Sequence, residues 1–215
     1  MQWEAISWTR LTEALAERIA GTEAEDGSPW LRVAVDGAPA TRPAEPARNL
    51  AEELRARGRP ATVIGTGGFL RPASLRYEYG RQDADAYYDL WLDTGALHRE
   101  VFAPLEPGGS GRVLPDLWDP VADRTTRSPY VTVPPGGVVI VHGPLLLGHW
   151  FPFDLSVHLR MSPAALARRT DAAEAWTVPA FARYADEVRP EAAAQVVVRA
   201  DDPRHPAWSG FTADA

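Results

Sequence analysis

Residues 36–45 read Asp-Gly-Ala-Pro-Ala-Thr-Arg-Pro-Ala-Glu and follow directly on Leu31 to Val35, which reads as a buried strand. A strand that turns into a helix in this way is where open α/β sheets hold their ligands, because strand carboxyl ends and the helix amino end converge there. A loop that cradles phosphate needs glycine at its first and sixth positions for close backbone approach. It then needs lysine for the transferred phosphate and serine or threonine for magnesium. Counted from Gly37, the sixth, seventh and eighth positions are Arg42, Pro43 and Ala44, so three of the four defining residues are absent. What remains of a phosphate loop is Gly37, Thr41 and Arg42. Pro43 also removes a backbone N–H, although it suits the first turn of a helix. Lysine cannot come from elsewhere, since all 22 basic residues are arginine.

Other chemistries find less support. His142 and His149 lie near Asp154, but seven-residue spacing across a turn is not a zinc pattern, and no metal is expected. No Gly-x-Ser-x-Gly follows a strand, and Gly108 to Arg112 reads as a turn. His158 alternates with Leu155, Val157 and Leu159; it is placed on the less buried side of its strand and is not assigned to catalysis.

The elements that would position these residues form an alternating series. Apolar strands are expected near 31–36, 61–65, 137–142, 153–160 and 194–199. Helices are expected over 45–57, over 94–102, from Ser162 as N-cap with Pro163 behind it, and over 179–188. The fold class is therefore α/β, with a mainly parallel five-stranded sheet, the first strand central, and helices on both faces. Residues 1–29 read as an appended helix and loop packing through Trp8, Leu11 and Leu15, and residues 30–215 as a single domain. The 215 residues are 45% hydrophobic, long enough to bury a core. A net charge of -7 argues against general nucleic-acid binding. The absence of cysteine removes thiol chemistry, and no apolar run approaches the ~20 residues that span a bilayer. A cytoplasmic protein without membrane association is expected.

In its order of segments, the chain from about residue 30 to 203 resembles the uridine kinase family of P-loop kinases. Val33 to Gly37 stand at the first strand and phosphate loop, and Gly67 to Pro72 at an Asp-x-Phe segment. Tyr87 to Asp93 stand at a segment ending in a ribose-binding aspartate, followed by Pro104 and Leu105. Val138 to Leu147 resemble the strand and acidic turn, and Ala165 to Thr170 the arginine-bearing lid helix. The resemblance implies a P-loop-kinase-like three-layer fold. It also implies departures at the chemistry: Gly67 stands where the family has its catalytic base, and His142 where it has an acid.

What the resemblance retains lies on the acceptor side. Asp93 is expected either to accept hydrogen bonds from a ribose-like diol or to cap the helix beginning at Thr94. Tyr87, Tyr88, Trp91 and Trp118 offer a stacking wall, or ordinary packing. Arg168 and Arg169 stand at the lid positions, as anion ligands or as a solvated helix end. Two functions follow. One is a binding protein for a nucleoside- or nucleotide-like small molecule that has lost ATP phosphate-loop chemistry. The other is an active nucleoside or small-alcohol kinase, with ATP and magnesium, in which arginine and a helix terminus replace the lysine. A structural alternative makes the Trp-rich N-terminal helix a surface for self-association.

Overall fold

In the computed structural model, which describes residues 3–210, seven strands form one sheet. In chain order they are β1 (Glu4–Ala5), β2 (Leu31–Gly37), β3 (Ala61–Gly65), β4 (Val138–Gly143), β5 (Leu155–Arg160), β6 (Val196–Arg199) and β7 (Ala207–Ser209). Their spatial order is β1-β7-β6-β5-β2-β4-β3. The five expected strands are all present and mutually parallel, with β2 between β4 and β5. The sheet is larger than the expected five because β7 and β1 add an antiparallel edge beyond β6. Strands of two and three residues are too short to show alternation, so neither was legible.

Period-two alternation sorts the core into two layers. Val33 and Val35 of β2, Val157 of β5 and Val198 of β6 face α1 (Trp8–Ala20) and α2 (Ala44–Ala56), which supply Leu11, Leu15, Ile19, Leu50 and Leu54. Ala34, Val139 and Val141 face the other way, toward Leu97, Phe102, Phe181 and Tyr184. This second layer includes α3 (Ala84–Leu90), α4 (Pro163–Arg169) and α5 (Val178–Glu187). Helices thus cover both sheet faces, as expected. Ser7 and Ser162 cap α1 and α4, each accepting a backbone N–H three residues on. The expected helix over 94–102 is one α-turn, Thr94–Leu97, that widens over His98–Phe102.

The second face of β2 is not purely apolar. Arg32 stands at one end of it and Asp36 at the other, and both are buried. Each is answered from β5 or the residue before it. Arg32 makes a two-pronged pair with Asp154, Nε to Oδ2 at 3.0 Å and Nη2 to Oδ1 at 2.9 Å, and its third nitrogen reaches Asp26 at 2.8 Å. Asp36 Oδ2 lies 2.6 Å from His158 Nδ1, its register partner on β5. His158 was expected on a less buried side; the helical layer covers this face too, and the residue is 8% exposed.

Removing one partner of a buried ion pair strands the other charge away from water. Asp154→Ala should therefore lower unfolding stability by about 3 to 5 kcal/mol in chemical denaturation. The double change Arg32→Met with Asp154→Leu should recover much of that loss, and a double mutant no better than the single would refute the account.

Candidate functional site

The loop after β2 is closed on itself. Pro39–Thr41 form a single tight turn in which Thr41 N and Thr41 Oγ1 both donate to the Ala38 carbonyl, at 2.8 and 2.7 Å. Arg42 N donates to Pro39 O, and Glu45 N to Arg42 O. Pro39, Pro43 and Pro46 have no N–H to offer. Most of the amides that could converge on an anion are therefore absent or spent. Arg42 sits at φ 53°, ψ 56°, a left-handed conformation that costs an L-residue about 1 to 2 kcal/mol. It occupies the position where glycine would adopt it freely. Gly37 has no such latitude: a Cβ there would lie 2.5 Å from Thr41 Oγ1 and 2.9 Å from Leu159 Cβ.

A cavity of about 730 Å³ borders this loop. Thr41, Arg42 and Glu45 line it from the loop and α2, Tyr87 from α3, and Arg169 with Asp171 and Glu174 from the end of α4 and the segment beyond. Trp8 of α1 and Pro203 also contribute, with Trp8 Nε1 donating to Pro203 O at 2.7 Å. Two arginines thus share the cavity with three carboxylates, and Arg42 Nη1 is already 3.4 Å from Glu45. The apolar wall is built on Tyr87, whose ring lies 5.0 Å from Trp91, 5.6 Å from Trp176 and 6.0 Å from Phe181 in edge-on contacts. Burial, with help from Glu174, raises the Tyr87 hydroxyl above its ordinary pKa.

Of the residues singled out in the sequence, Thr41, Arg42, Tyr87 and Arg169 come together on this cavity. Asp93, Tyr88, Trp118 and Arg168 do not line it. Asp93 caps the Thr94–Leu97 turn, its Oδ1 accepting from Ala96 N at 2.8 Å, and its own N–H ties it to Phe69 O. It therefore stands beside the turn Thr66–Phe69, where a side chain at Gly67 would meet open space. Tyr88 packs under Arg183, whose guanidinium lies 4.2 Å from the ring centre. Trp118 belongs to a short hairpin with Thr125 and donates to Asp123 at 3.2 Å. Arg168 is exposed. Trp8 and Phe181 were missed as site residues, and so was Trp176, which backs Tyr87 without lining the cavity; a bulky aromatic beside the lid arginines was the available signal for Trp176.

His142 stands next to last in β4, opposite Gly65 of β3, where a Cβ would lie 3.1 Å from its ring. Burial, and secondarily Arg48, hold its pKa below the usual histidine value.

No protein-family model and no curated protein matches the sequence. Solved structures do. A possible uridine kinase from Bacillus stearothermophilus superposes with a TM-score of 0.68 at 21% identity, covering 86% of this chain and 96% of that one. A protein described as a fructose transport system kinase from Silicibacter sp. TM1040 gives 0.56 at 22% identity, over 81% and 95%. The YGR205w protein gives 0.53 at 11% identity, over 90% and 93%. The fold is the P-loop kinase fold. The expected three-layer architecture is thus observed, and the loop from Gly37 to Ala44 joins the central strand to the next helix.

Two measurements follow. Asp93→Ala removes an N-cap and should cost about 1 kcal/mol of stability; an unchanged denaturation midpoint would deny the capping role. Burial also pulls His149 below its ordinary pKa, as it does His142. Between the folded and unfolded pKa values the unfolded chain binds more protons, so stability is full above about pH 6.5 and declines as pH falls below it. His142→Gln should flatten that decline, and an identical slope in the variant would refute the assignment.

Proposed function

We propose that the protein binds a nucleoside- or nucleotide-like small molecule and has lost the phosphate-loop chemistry by which a P-loop kinase uses ATP. One observation carries the reading: between Gly37 and Pro46 three positions are proline, while Thr41, Arg42 and Glu45 donate their amides to carbonyls within the loop. Phosphoryl transfer depends on positioning and charge neutralisation by backbone amides, a cation and magnesium. This loop has neither lysine nor a hydroxyl at the magnesium position, and the Thr41 hydroxyl is occupied by Ala38 O. The carboxylates Glu45, Asp171 and Glu174 further disfavour a triphosphate in the adjoining cavity.

The same cavity suits a smaller, less charged molecule. Tyr87, buttressed by Trp91 and Trp176, offers an aromatic surface to a planar base, and Arg169 offers a cation to one phosphate or a carbonyl. Arg42, with an exposed side chain on the cavity wall, supports the second reading of a kinase that uses arginine in place of lysine.

Calorimetry separates the two. Mg-ATP should bind no better than about 1 mM, or ~4 kcal/mol; micromolar binding would overturn the first reading in favour of the second. Uridine monophosphate should quench tryptophan fluorescence, and Arg169→Ala should weaken it by about 1.5 to 3 kcal/mol through loss of a charged hydrogen bond. No quenching by uridine or its monophosphate would refute the binding reading.

A further inference from the structure

A second cavity, of about 390 Å³, lies between the end of β5, α4 and α5, separated from the first by the shared residue Phe181. Leu145, Met161, Leu166 and Phe181 make it largely apolar, and the Arg160–Glu191 ion pair, at 2.7 Å, belongs to its lining. The polar group that matters is His158. Its Nδ1 is held 2.6 Å from Asp36 Oδ2, and Asp36 is fully buried with Oδ1 accepting from Leu146 N at 2.9 Å. A buried carboxylate that takes one backbone N–H and one imidazole N–H fixes the ring's orientation. His158 Nε2 has no protein partner among the described residues, and His158 lines the cavity.

We propose that this cavity is a small-molecule site, for a compact and mostly apolar compound that presents a hydroxyl to His158 Nε2. Size and lining fit a ligand pocket: mostly apolar walls, a charged pair already satisfied at Arg160 and Glu191, and an oriented imidazole that sets the pose. A hydroxyl is the group that serves either protonation state of the ring, since it donates to the neutral imidazole and accepts from the charged one. Asp36 supplies the orientation from behind and touches no ligand. The site is independent of the nucleoside reading, which uses Tyr87 and Arg169 on the other side of Phe181.

The test compares 2-naphthol with 2-methylnaphthalene, two probes of nearly equal shape of which only the first carries a hydroxyl. The protein should bind both and prefer naphthol about tenfold, the worth of one hydrogen bond to a group otherwise left unpaired. His158→Phe should erase the preference while leaving 2-methylnaphthalene bound. Ala185→Trp, on an exposed position of α5 that lines the cavity, should block both probes. Because Ala185 is at the surface, this variant decides the matter even if His158→Phe does not fold. Equal affinities in the original protein, binding of neither probe, or naphthol binding untouched by Ala185→Trp would each overturn the proposal.

Discussion

The register between β2 and β5 is set by two buried polar pairs of opposite sense. Arg32 meets Asp154 at one end of the contact and Asp36 meets His158 at the other. A shift of two residues in either direction parts at least one pair and leaves a charge in the core, a cost measured in kcal/mol rather than tenths. Much else hangs on this alignment. It brings Leu159 against Gly37, where no Cβ fits, and so sets where the loop leaves the sheet. It also aims Asp36 at Leu146 N, while Tyr184 receives the neighbouring Leu147 N–H. The turn after β4 is thereby tied to both the central strand and α5.

That frame does not depend on the loop that follows β2. The sheet is held by alternating valine faces and by these two pairs, none of which lies in residues 38–46. Loop chemistry is free to change when the strands on either side do not depend on it. In this chain the loop is closed: Pro39, Pro43 and Pro46 offer no N–H, and the amides of Thr41, Arg42 and Glu45 donate to carbonyls within it.

Legibility in the sequence followed the same division. β4 opens on an unbroken run of valine and isoleucine, and β2 is buried along its whole length with valine on one face, and strands of that kind are read directly. The helix from Ser162 was legible through its cap and Pro163. The five parallel strands and the central place of β2 followed from those signals; the full order did not, since β4, remote in the chain, inserts between β2 and β3 where a simple crossover makes them neighbours. The edge strands β1 and β7 did not, because their pairing lies in backbone contacts that two or three residues cannot advertise. His158 was misplaced for a related reason: a polar residue in an alternating strand reads as solvent-facing unless its partner is known, and that partner, Asp36, is 122 residues away. The cavity wall was half legible. Tyr87 and Arg169 were picked from their segments, but their meeting with Trp8 and Phe181 depends on how four separate elements converge.

The edge of the sheet has a consequence for how the molecule assembles. Glu4 and Ala5 pair with Trp208 and Ala207, and β7 lies between β1 and β6. A ribosome emits β1 and α1 long before β7 exists, so α1 can settle on α2 while its leading strand waits unpaired. Closure of the edge is then among the contacts of greatest sequence separation in the chain, the kind that carries the largest loop entropy and is expected late. Trp8, which leans on Pro203 beside the first cavity, shares that delay. The wall of the cavity contributed by the N-terminal helix is therefore completed only when the last strand docks, and a nascent chain does not yet possess the finished site.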